Sequence, residues 1–132
     1  MTNDLYERIY ELVRQIPRGQ LTTYGQLGAM CGITDPRIVG EAMNASHGVP
    51  WQRVINSRGE VSIKGRTGAR QRKLLEEEGV EFDENGRVDF AICGWTPEPQ
   101  WLEAHGYKIP PPFVIERKGK EKKDEGEQPS LF

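Results

Sequence analysis

The residues best suited to nucleophilic or metal chemistry in this chain are its two cysteines and two histidines. Cys31 and Cys93 lie far apart, and neither the Cys-x-x-Cys spacing nor the Cys/His spacing of a structural zinc site is present. No histidine stands beside either cysteine, so neither thiol has a neighbouring general base. The spacing therefore predicts free thiols in an intracellular protein, with no metal site and no cofactor.

Basic residues are concentrated between positions 53 and 73. Glu60 is the only acidic residue there, which gives this stretch a local charge of +6 although the whole chain carries −2. The basic residues are Arg53, Arg58, Lys64, Arg66, Arg70, Arg72 and Lys73. Such a cluster favours a phosphate backbone, and the alternative is a solvated charged face. The negative total argues against a protein that coats nucleic acid everywhere.

Three motifs precede or open this basic stretch, and together they resemble a known family. They are Thr23–Gly25 (Thr-Tyr-Gly), Pro36–Met43 (Pro-Arg-Ile-Val-Gly-Glu-Ala-Met) and Pro50–Val54 (Pro-Trp-Gln-Arg-Val). The chain from Leu5 to Trp95 resembles the DNA-binding domain of the O6-alkylguanine-DNA alkyltransferases, whose acceptor motif reads Pro-Cys-His-Arg-Val. It is more similar still to the alkyltransferase-like proteins, in which tryptophan typically replaces that cysteine.

The resemblance implies a protein that inspects guanine O6 by flipping the nucleotide out of the duplex, because that atom lies inside the base stack. Tyr24 would crowd the phosphate on the 3′ side of the flipped nucleotide and help to rotate it. Arg37 would correspond to the family's arginine finger, whose planar guanidinium stacks in place of the lost base. Without the resemblance, Tyr24 is also explained as a packing residue, and Arg37 as a phosphate contact or a solvated charge.

The helix that carries Arg37 would dock in the minor groove, where small side chains allow a close approach. Gly40 and Ala42 have the required size, and Asn44 completes the DNA-binding set that the resemblance implies. Glu41 departs from the glycine that is often found at its position. An acid near phosphates weakens the contact unless it faces the protein.

The pocket that receives the base carries the largest departure from a transferase. Methyl transfer needs a thiolate that is activated by a histidine and a carboxylate. Trp51 offers no nucleophile, and Gln52 cannot act as a general base at neutral pH. Trp51 offers instead an apolar, polarizable face to the O6 substituent, with a core tryptophan as the alternative. These residues predict a binder that has no catalytic group.

The resemblance places further residues around this pocket. Arg53 would secure the loop through hydrogen bonds to backbone carbonyls. Lys64, or Arg66 if the register is shifted, would place a cation over the damaged base. Backbone groups near Val61 and Ser62 would hydrogen-bond the guanine edge.

The sequence thus predicts non-enzymatic recognition of O6-alkylguanine in double-stranded DNA, and the resemblance implies that the lesion is handed to nucleotide excision repair. Two alternatives remain. One is an active methylated-DNA-protein-cysteine methyltransferase that uses Cys31 or Cys93, and the other is a sequence-specific helix-turn-helix regulator. A regulator would not explain Pro50–Val54, and such proteins usually dimerise, for which the sequence contains no heptad. We therefore expect a monomer.

The elements that must position these residues are mainly helical. Apolar residues at helical spacing predict a first helix over Asp4–Gln15. A threonine, Thr22 or Thr23, caps a second helix that ends at Gly32. Asp35, followed by proline, begins a third helix, which carries the candidate arginine finger. Two short helices joined by a tight turn are typical of a helix-turn-helix.

Short β-hairpins are predicted after the helix-turn-helix. Residues 53–63 are typical of a small hairpin or wing, and Val80–Phe90 is divided by a turn at Asn85–Gly86. Between them, Gly65–Gly68 is predicted as a flexible basic loop and Ala69–Glu78 as a fourth helix. The predicted fold class is therefore mainly α (α+β), a winged helix-turn-helix-like DNA-binding domain with one or two short β-hairpins.

A charged tail follows this domain, which we place at residues 1–115. Residues 116–132 mix basic and acidic side chains, a composition typical of a disordered C-terminal linker. Their last five residues, Gln-Pro-Ser-Leu-Phe, resemble the bacterial sliding-clamp-binding motif. In that motif Gln128 would hydrogen-bond a rim, and Leu131 and Phe132 would fill an apolar pocket. Five residues also match by chance, so a terminus without this function is the alternative.

The chain contains no long apolar run and no charged-then-apolar leader. Neither a membrane span nor a signal peptide is therefore predicted. The expected location is the cytoplasm, in association with the nucleoid if the source is bacterial.

Overall fold

The computed structural model describes residues 4–113. Helix α1 (Asp4–Arg14) is amphipathic, because Ile9, Leu12 and Val13 share one face and are buried. Its charges follow the helix dipole, with acidic residues in the first turn and an arginine in the last. The prediction for this helix is confirmed to within one residue at its C-terminal end.

Helices α2 (Tyr24–Cys31) and α3 (Pro36–Asn44) form the predicted helix-turn-helix. Thr23 caps α2, since its hydroxyl accepts a hydrogen bond from the amide three residues on (2.9 Å). Gly32 ends α2 in the left-handed conformation, at φ +74°. Asp35 caps α3 by accepting from the amide two residues on (3.0 Å). The boundaries that capping chemistry predicted are confirmed.

A parallel sheet of two residues per strand joins β1 (Thr22–Thr23) to β2 (Val54–Ile55). Strand β1 leads directly into α2. Strand β2 follows a single 3₁₀ turn at Trp51–Arg53. The sheet therefore ties the start of the helix-turn-helix to the segment that carries Trp51.

Neither of the two predicted hairpins forms, and the same local chemistry accounts for both. At each turn a side-chain oxygen, of Asn56 or of Asp83, accepts hydrogen bonds from the amides two and four residues on. Those amides are then unavailable for a hairpin ladder. The two turns pair with each other instead, through an antiparallel bridge between Glu60 and Arg87. The prediction of a wing is therefore wrong, although both turns lie where they were predicted.

Helix α4 (Gly65–Glu77) begins four residues before the predicted start at Ala69. The predicted flexible loop at Gly65–Gly68 is therefore the first turn of this helix. Gly68 is buried there, and a Cβ atom at this position would overlap the carbonyl oxygen of Ile63. Glycine lowers helix propensity, but this close approach requires it.

Two hydrophobic clusters stabilise the fold within residues 4–113. The first lies between α1, α2 and α3 and is extended by residues around α6 (Pro99–Ala104). The second lies between the strands, α4 and α5 (Phe90–Cys93). The amide of Lys108 donates to the carbonyl of Met30 (2.8 Å), so the chain after α6 is fixed to the end of α2. The mainly helical fold class with a small β component is confirmed.

The predicted domain boundary at residue 115, the charged tail and its terminal motif lie outside the described residues. Within residues 4–113, no helix combines the length and apolarity that a membrane crossing needs. In the same range, no group of His, Cys, Asp and Glu side chains is arranged to hold a metal ion.

Candidate nucleic-acid interface

Arg37 projects from the first turn of α3 into solvent, with 88% of its side chain exposed. Its guanidinium is held by the carboxylate of Asp35, at 2.9 Å from Nη2 and 3.1 Å from Nε. One carboxylate therefore fixes both the start of α3 and the direction of the arginine. Hydrogen bonds from Arg37 hold the pKa of Asp35 below its usual value, so the pair is charged at neutral pH. Water screens so exposed a pair, and the guanidinium can exchange it for another partner at little cost.

Tyr24 is half-buried at the first residue of α2. Its phenol lies close to the side chain of Ser62, in the segment that leads to α4. Burial raises the pKa of Tyr24 while the neighbouring hydroxyl of Ser62 lowers it, and the net shift is upward. The hydroxyl is therefore protonated at neutral pH and can donate. Two site residues predicted from distant parts of the sequence are thus brought together.

The outer face of α3 presents a position without a side chain. A Cβ atom at Gly40 would meet no other atom within 4 Å. The fold therefore does not require glycine here, although glycine costs a helix about 1 kcal/mol relative to alanine. Asn44, at the end of the helix, and Glu41 are exposed.

Ala42 is not available to an external partner. It is 0% exposed and packs in the first hydrophobic cluster beside Val39. Its carbonyl oxygen accepts a hydrogen bond from the hydroxyl of Tyr10 (2.7 Å). The prediction that Ala42 contacts DNA is therefore wrong, because its small side chain serves the packing of α3 on α1.

Trp51 opens the 3₁₀ turn and is half-buried. The next residue, Gln52, donates from Nε2 to a carboxylate oxygen of Glu78 (2.8 Å). A carboxylate thus lies beside the position where the resemblance places the histidine of a transferase. An amide nitrogen that donates to a carboxylate cannot accept or relay a proton at neutral pH.

Arg53 points into the protein, with 16% of its side chain exposed. Its Nη1 donates to the carbonyl of Ile16 (2.8 Å), which confirms the predicted contact with a backbone carbonyl. Its Nε and Nη2 donate to the carboxylate of Glu78, which is 6% exposed (2.9 and 3.0 Å). Because all three guanidinium nitrogens donate to partners inside the protein, Arg53 supports the turn from within, which corrects its placement in the pocket wall.

Two opposing effects act on the pKa of Glu78. Burial alone would raise the pKa of Glu78. The hydrogen bonds from Arg53 and Gln52 outweigh burial and hold that pKa below its usual value. The carboxylate is therefore ionised at neutral pH, and its charge is compensated by Arg53.

The other predicted pocket residues lie on the segment that leads into α4. Val61 is half-buried against the second hydrophobic cluster. Lys64 immediately precedes α4 without capping it through its side chain, and Arg66 lies in the first turn. Both cations are exposed, and neither forms an ion pair within the part of the chain that the structure describes.

Both cysteines belong to the hydrophobic clusters. Cys31 packs against the first cluster and Cys93 lies in the second. Burial raises the pKa of Cys31 to about 11, although the charge of Arg8 opposes it. Burial and the charge of Asp89 raise the pKa of Cys93 to about 11. Both are therefore neutral thiols at physiological pH, and a neutral thiol is a weak nucleophile.

Sequence reasoning missed Glu78 and Gln71. Gln71 is buried on the inner face of α4, and its Nε2 donates to the carbonyls of Gln52 (3.1 Å) and Val54 (3.0 Å). The sequence did contain a signal for Gln71, since it lies four positions before Leu75 and therefore on the same, inward face of the helix. Glu78 ends a run of three glutamates, and helical spacing from Gln71 and Leu75 places it, rather than the other two, on the inward face.

The chain matches the family model described as the DNA-binding domain of 6-O-methylguanine DNA methyltransferase, over residues 4–80. It is 42% identical over 94 residues to a DNA base-flipping protein of Vibrio parahaemolyticus, covering 68% of this chain and 94% of the relative. It is 37% identical over 105 residues to alkyltransferase-like protein 1 of Schizosaccharomyces pombe, covering 75% of this chain and 95% of that relative.

Solved structures with the same fold include proteins bound to DNA. S. pombe Atl1, in complex with damaged DNA containing O6-carboxymethylguanine, matches with a TM-score of 0.63 and 38% identity. The match covers 74% of this chain and 100% of that one. The O6-methylguanine methyltransferase of Mycobacterium tuberculosis matches with a TM-score of 0.52 and 30% identity, over 59% of this chain and 50% of its own.

Proposed function

Because the chain belongs to the family defined by the DNA-binding domain of O6-methylguanine DNA methyltransferase, we propose that it recognises O6-alkylguanine in double-stranded DNA by flipping the nucleotide, without removing the alkyl group. One observation supports the part of this proposal that says the alkyl group is not removed. Trp51 stands where the family resemblance places the acceptor cysteine, and beside it Gln52 donates to Glu78, so these positions hold a carboxylate but neither a thiol nor a histidine.

Neither cysteine among the described residues is activated for the transfer reaction. Cys31 and Cys93 are protonated at neutral pH and packed in hydrophobic clusters. A thiolate is the reactive form of cysteine, so at a pKa of about 11 only a minute fraction is available. These facts argue against the alternative of an active methyltransferase that uses a substitute cysteine.

The arrangement of side chains supports nucleotide flipping. Arg37 extends from α3 and stacks in the gap left by the base, in exchange for its contact with Asp35. The hydroxyl of Tyr24, which lies close to Ser62, donates to a phosphate on the 3′ side of the flipped nucleotide. Gly40 and Asn44 lie on the side of α3 that enters the minor groove.

The pocket then holds the base by stacking and by a nearby cation. Trp51 contacts the alkyl group, because an apolar ring face gains contact energy there. A polar side chain in the same place would lose its hydration when the alkyl group covered it. Lys64 lies over the base, with Arg66 as the alternative one residue beyond Gly65. Backbone groups of Val61 and Ser62 bond the guanine edge.

The proposal is tested by titrating the protein against one duplex with and without a single O6-methylguanine, followed by measurement of the intact protein mass. We expect a preference for the lesion of at least about tenfold, which corresponds to about 1.4 kcal/mol. We expect no change in protein mass after prolonged incubation. Equal affinity for the two duplexes would favour a sequence-specific regulator, and a gain of one methyl group would establish transfer.

Gly40 provides a separate test of the docking face. Replacing Gly40 by alanine should raise the free energy of unfolding by about 0.5–1 kcal/mol, because the space is open and alanine is the better helix former. Replacing it by glutamine should weaken binding to undamaged and damaged duplex alike, by roughly tenfold, because the longer side chain holds α3 away from the groove. Urea unfolding and DNA titration measure the two effects. Unchanged DNA affinity of the glutamine variant would contradict this docking face.

The later fate of the lesion is a further part of the proposal. The family resemblance supports delivery to nucleotide excision repair proteins by a monomer that acts in the cytoplasm, at the nucleoid if the source is bacterial. The terminal motif with Gln128, Leu131 and Phe132 supports docking on the replication sliding clamp. Titration of the full chain with purified clamp or purified excision-repair proteins tests each interaction, and lack of binding contradicts it.

A further inference from the structure

Helix α4 and the residue before it carry more exposed cations than the lesion site uses, since that site needs only Lys64 or Arg66. Of the seven basic residues between 53 and 73, Arg53 is internal. Arg58 is paired with Glu60, and Arg72 with Glu76. The remaining four form no ion pair within residues 4–113 and are exposed: Lys64, Arg66, Arg70 and Lys73.

Three of these four cations form a line on one face of α4, which we term the cationic stripe: Arg66, Arg70 and Lys73. At 3.6 residues per turn, spacings of four and three residues place them within about 60° around the helix axis. The opposite face is the buried one, with Gly68, Gln71 and Leu75. The ends of the stripe are about 10 Å apart along the axis, which corresponds to about three nucleotide steps of one DNA strand.

The order of charges along α4 is the reverse of what the helix itself favours. Helix α1 has acidic residues in its first turn and Arg14 in its last, as the helix dipole prefers. Helix α4 has no acidic residue in its first turn and no basic residue in its last, where Glu76 and Glu77 lie instead. Helix stability therefore does not account for the stripe, whereas an external polyanion does.

We propose that the cationic stripe contacts the phosphate backbone of the duplex beyond the flipped nucleotide, an inference that rests on the proposed function. The stripe begins next to Lys64, at the edge of the lesion pocket. It ends before Glu76 and Glu77, whose charges repel phosphates and so limit the contact to the first turns of α4. Phosphate contacts read no base, so the stripe raises the affinity for damaged and undamaged duplex equally.

The test compares two double variants that lower the net charge by the same amount. R70Q/K73Q removes two cations of the stripe and leaves Arg66 for the pocket. R14Q/R18Q removes two exposed cations outside the proposed interface, the last residue of α1 and one four residues beyond it. Because Arg18 donates to the carbonyl of Glu77 (2.9 Å), thermal unfolding checks that this control keeps the stability of the unaltered chain. Each protein is titrated against duplexes with guanine and with O6-methylguanine at several salt concentrations, and the slope of log K against log salt is determined.

We expect the slope for R70Q/K73Q to become shallower by about 1.8, since each phosphate contact contributes about 0.9. The slope for R14Q/R18Q should stay at the value of the unaltered chain, and both variants should keep its lesion preference. An unchanged slope for R70Q/K73Q, an equal change in the control, or a loss of lesion preference in R70Q/K73Q alone would each overturn the inference. If the unaltered chain itself has no lesion preference, the proposed function fails, and the slopes on undamaged duplex still decide the role of the stripe.

Discussion

Replacing Trp51 by alanine should abolish most of the preference for O6-methylguanine while leaving the affinity for undamaged duplex nearly unchanged. Stacking of a base or its substituent on an aromatic ring contributes about 1–3 kcal/mol. Its loss corresponds to a reduction of about 5- to 150-fold in lesion affinity. Binding to undamaged duplex depends on phosphate contacts that lie elsewhere on the surface, so it should persist.

The matched control is Trp51→Phe, which keeps an aromatic face of smaller area and should retain an intermediate preference. Thermal unfolding of both variants separates a binding effect from a folding effect. Trp51 is half-buried in a short turn, so alanine should lower stability less than it lowers lesion affinity. An equal loss of affinity for both duplexes, together with a large fall in stability, would make Trp51 a packing residue.

Replacing Glu78 by glutamine should lower the free energy of unfolding by about 3 kcal/mol at neutral pH, because Arg53 would remain in the interior without its counter-charge. The side chains of this pair are only 6% and 16% exposed, so water cannot compensate the loss. Glu76→Gln is the matched control. Its carboxylate is 52% exposed and pairs with Arg72 on the surface, so its removal should change stability by at most about 0.5 kcal/mol.

The pH dependence of this difference follows from the direction of the shift. In the folded state, the pKa of Glu78 lies below the ordinary value of about 4.3, to which it returns on unfolding. The stabilisation is therefore fully present above about pH 4.3 and is lost as the pH falls through the folded-state pKa. Urea unfolding at pH 7 and at successively lower pH should show the two proteins converging. A constant difference across the acid range would mean that Glu78 acts through packing and not through charge.

The helix-turn-helix could be predicted because its boundaries depend on local chemistry. Thr23, Gly32 and Asp35 each act on amides or carbonyls within four residues. The hairpins could not be predicted, because a turn is local whereas the partner of a strand is not. Strand β2 pairs with β1, which lies upstream of two intervening helices.

The candidate site was predictable to the extent that it depends on residue type. The absence of a nucleophile at Trp51 and of a base at Gln52 follows from the side chains themselves. The hydrogen bond of Gln52 to Glu78 does not, because helical spacing indicates that Glu78 faces inward but not which side chain it meets there. Ala42 was misplaced for a related reason. It is small, as a groove contact must be, but it shares the inward face of α3 with Val39.

The short parallel sheet of β1 and β2 determines where the fold can tolerate insertions and deletions. Strand β1 ends immediately before Tyr24, and β2 begins immediately after the turn that holds Trp51. These two short strands fix the distance between Tyr24, the proposed contact to the DNA backbone, and Trp51, the proposed wall of the pocket. The loop between α3 and Trp51 contributes to neither strand, and Gly48 within it is exposed with no atom close to an added Cβ. Insertions and deletions should therefore be tolerated around residue 48. One residue gained or lost between Thr22 and Tyr24, or between Trp51 and Ile55, would instead put the two halves of the site out of register.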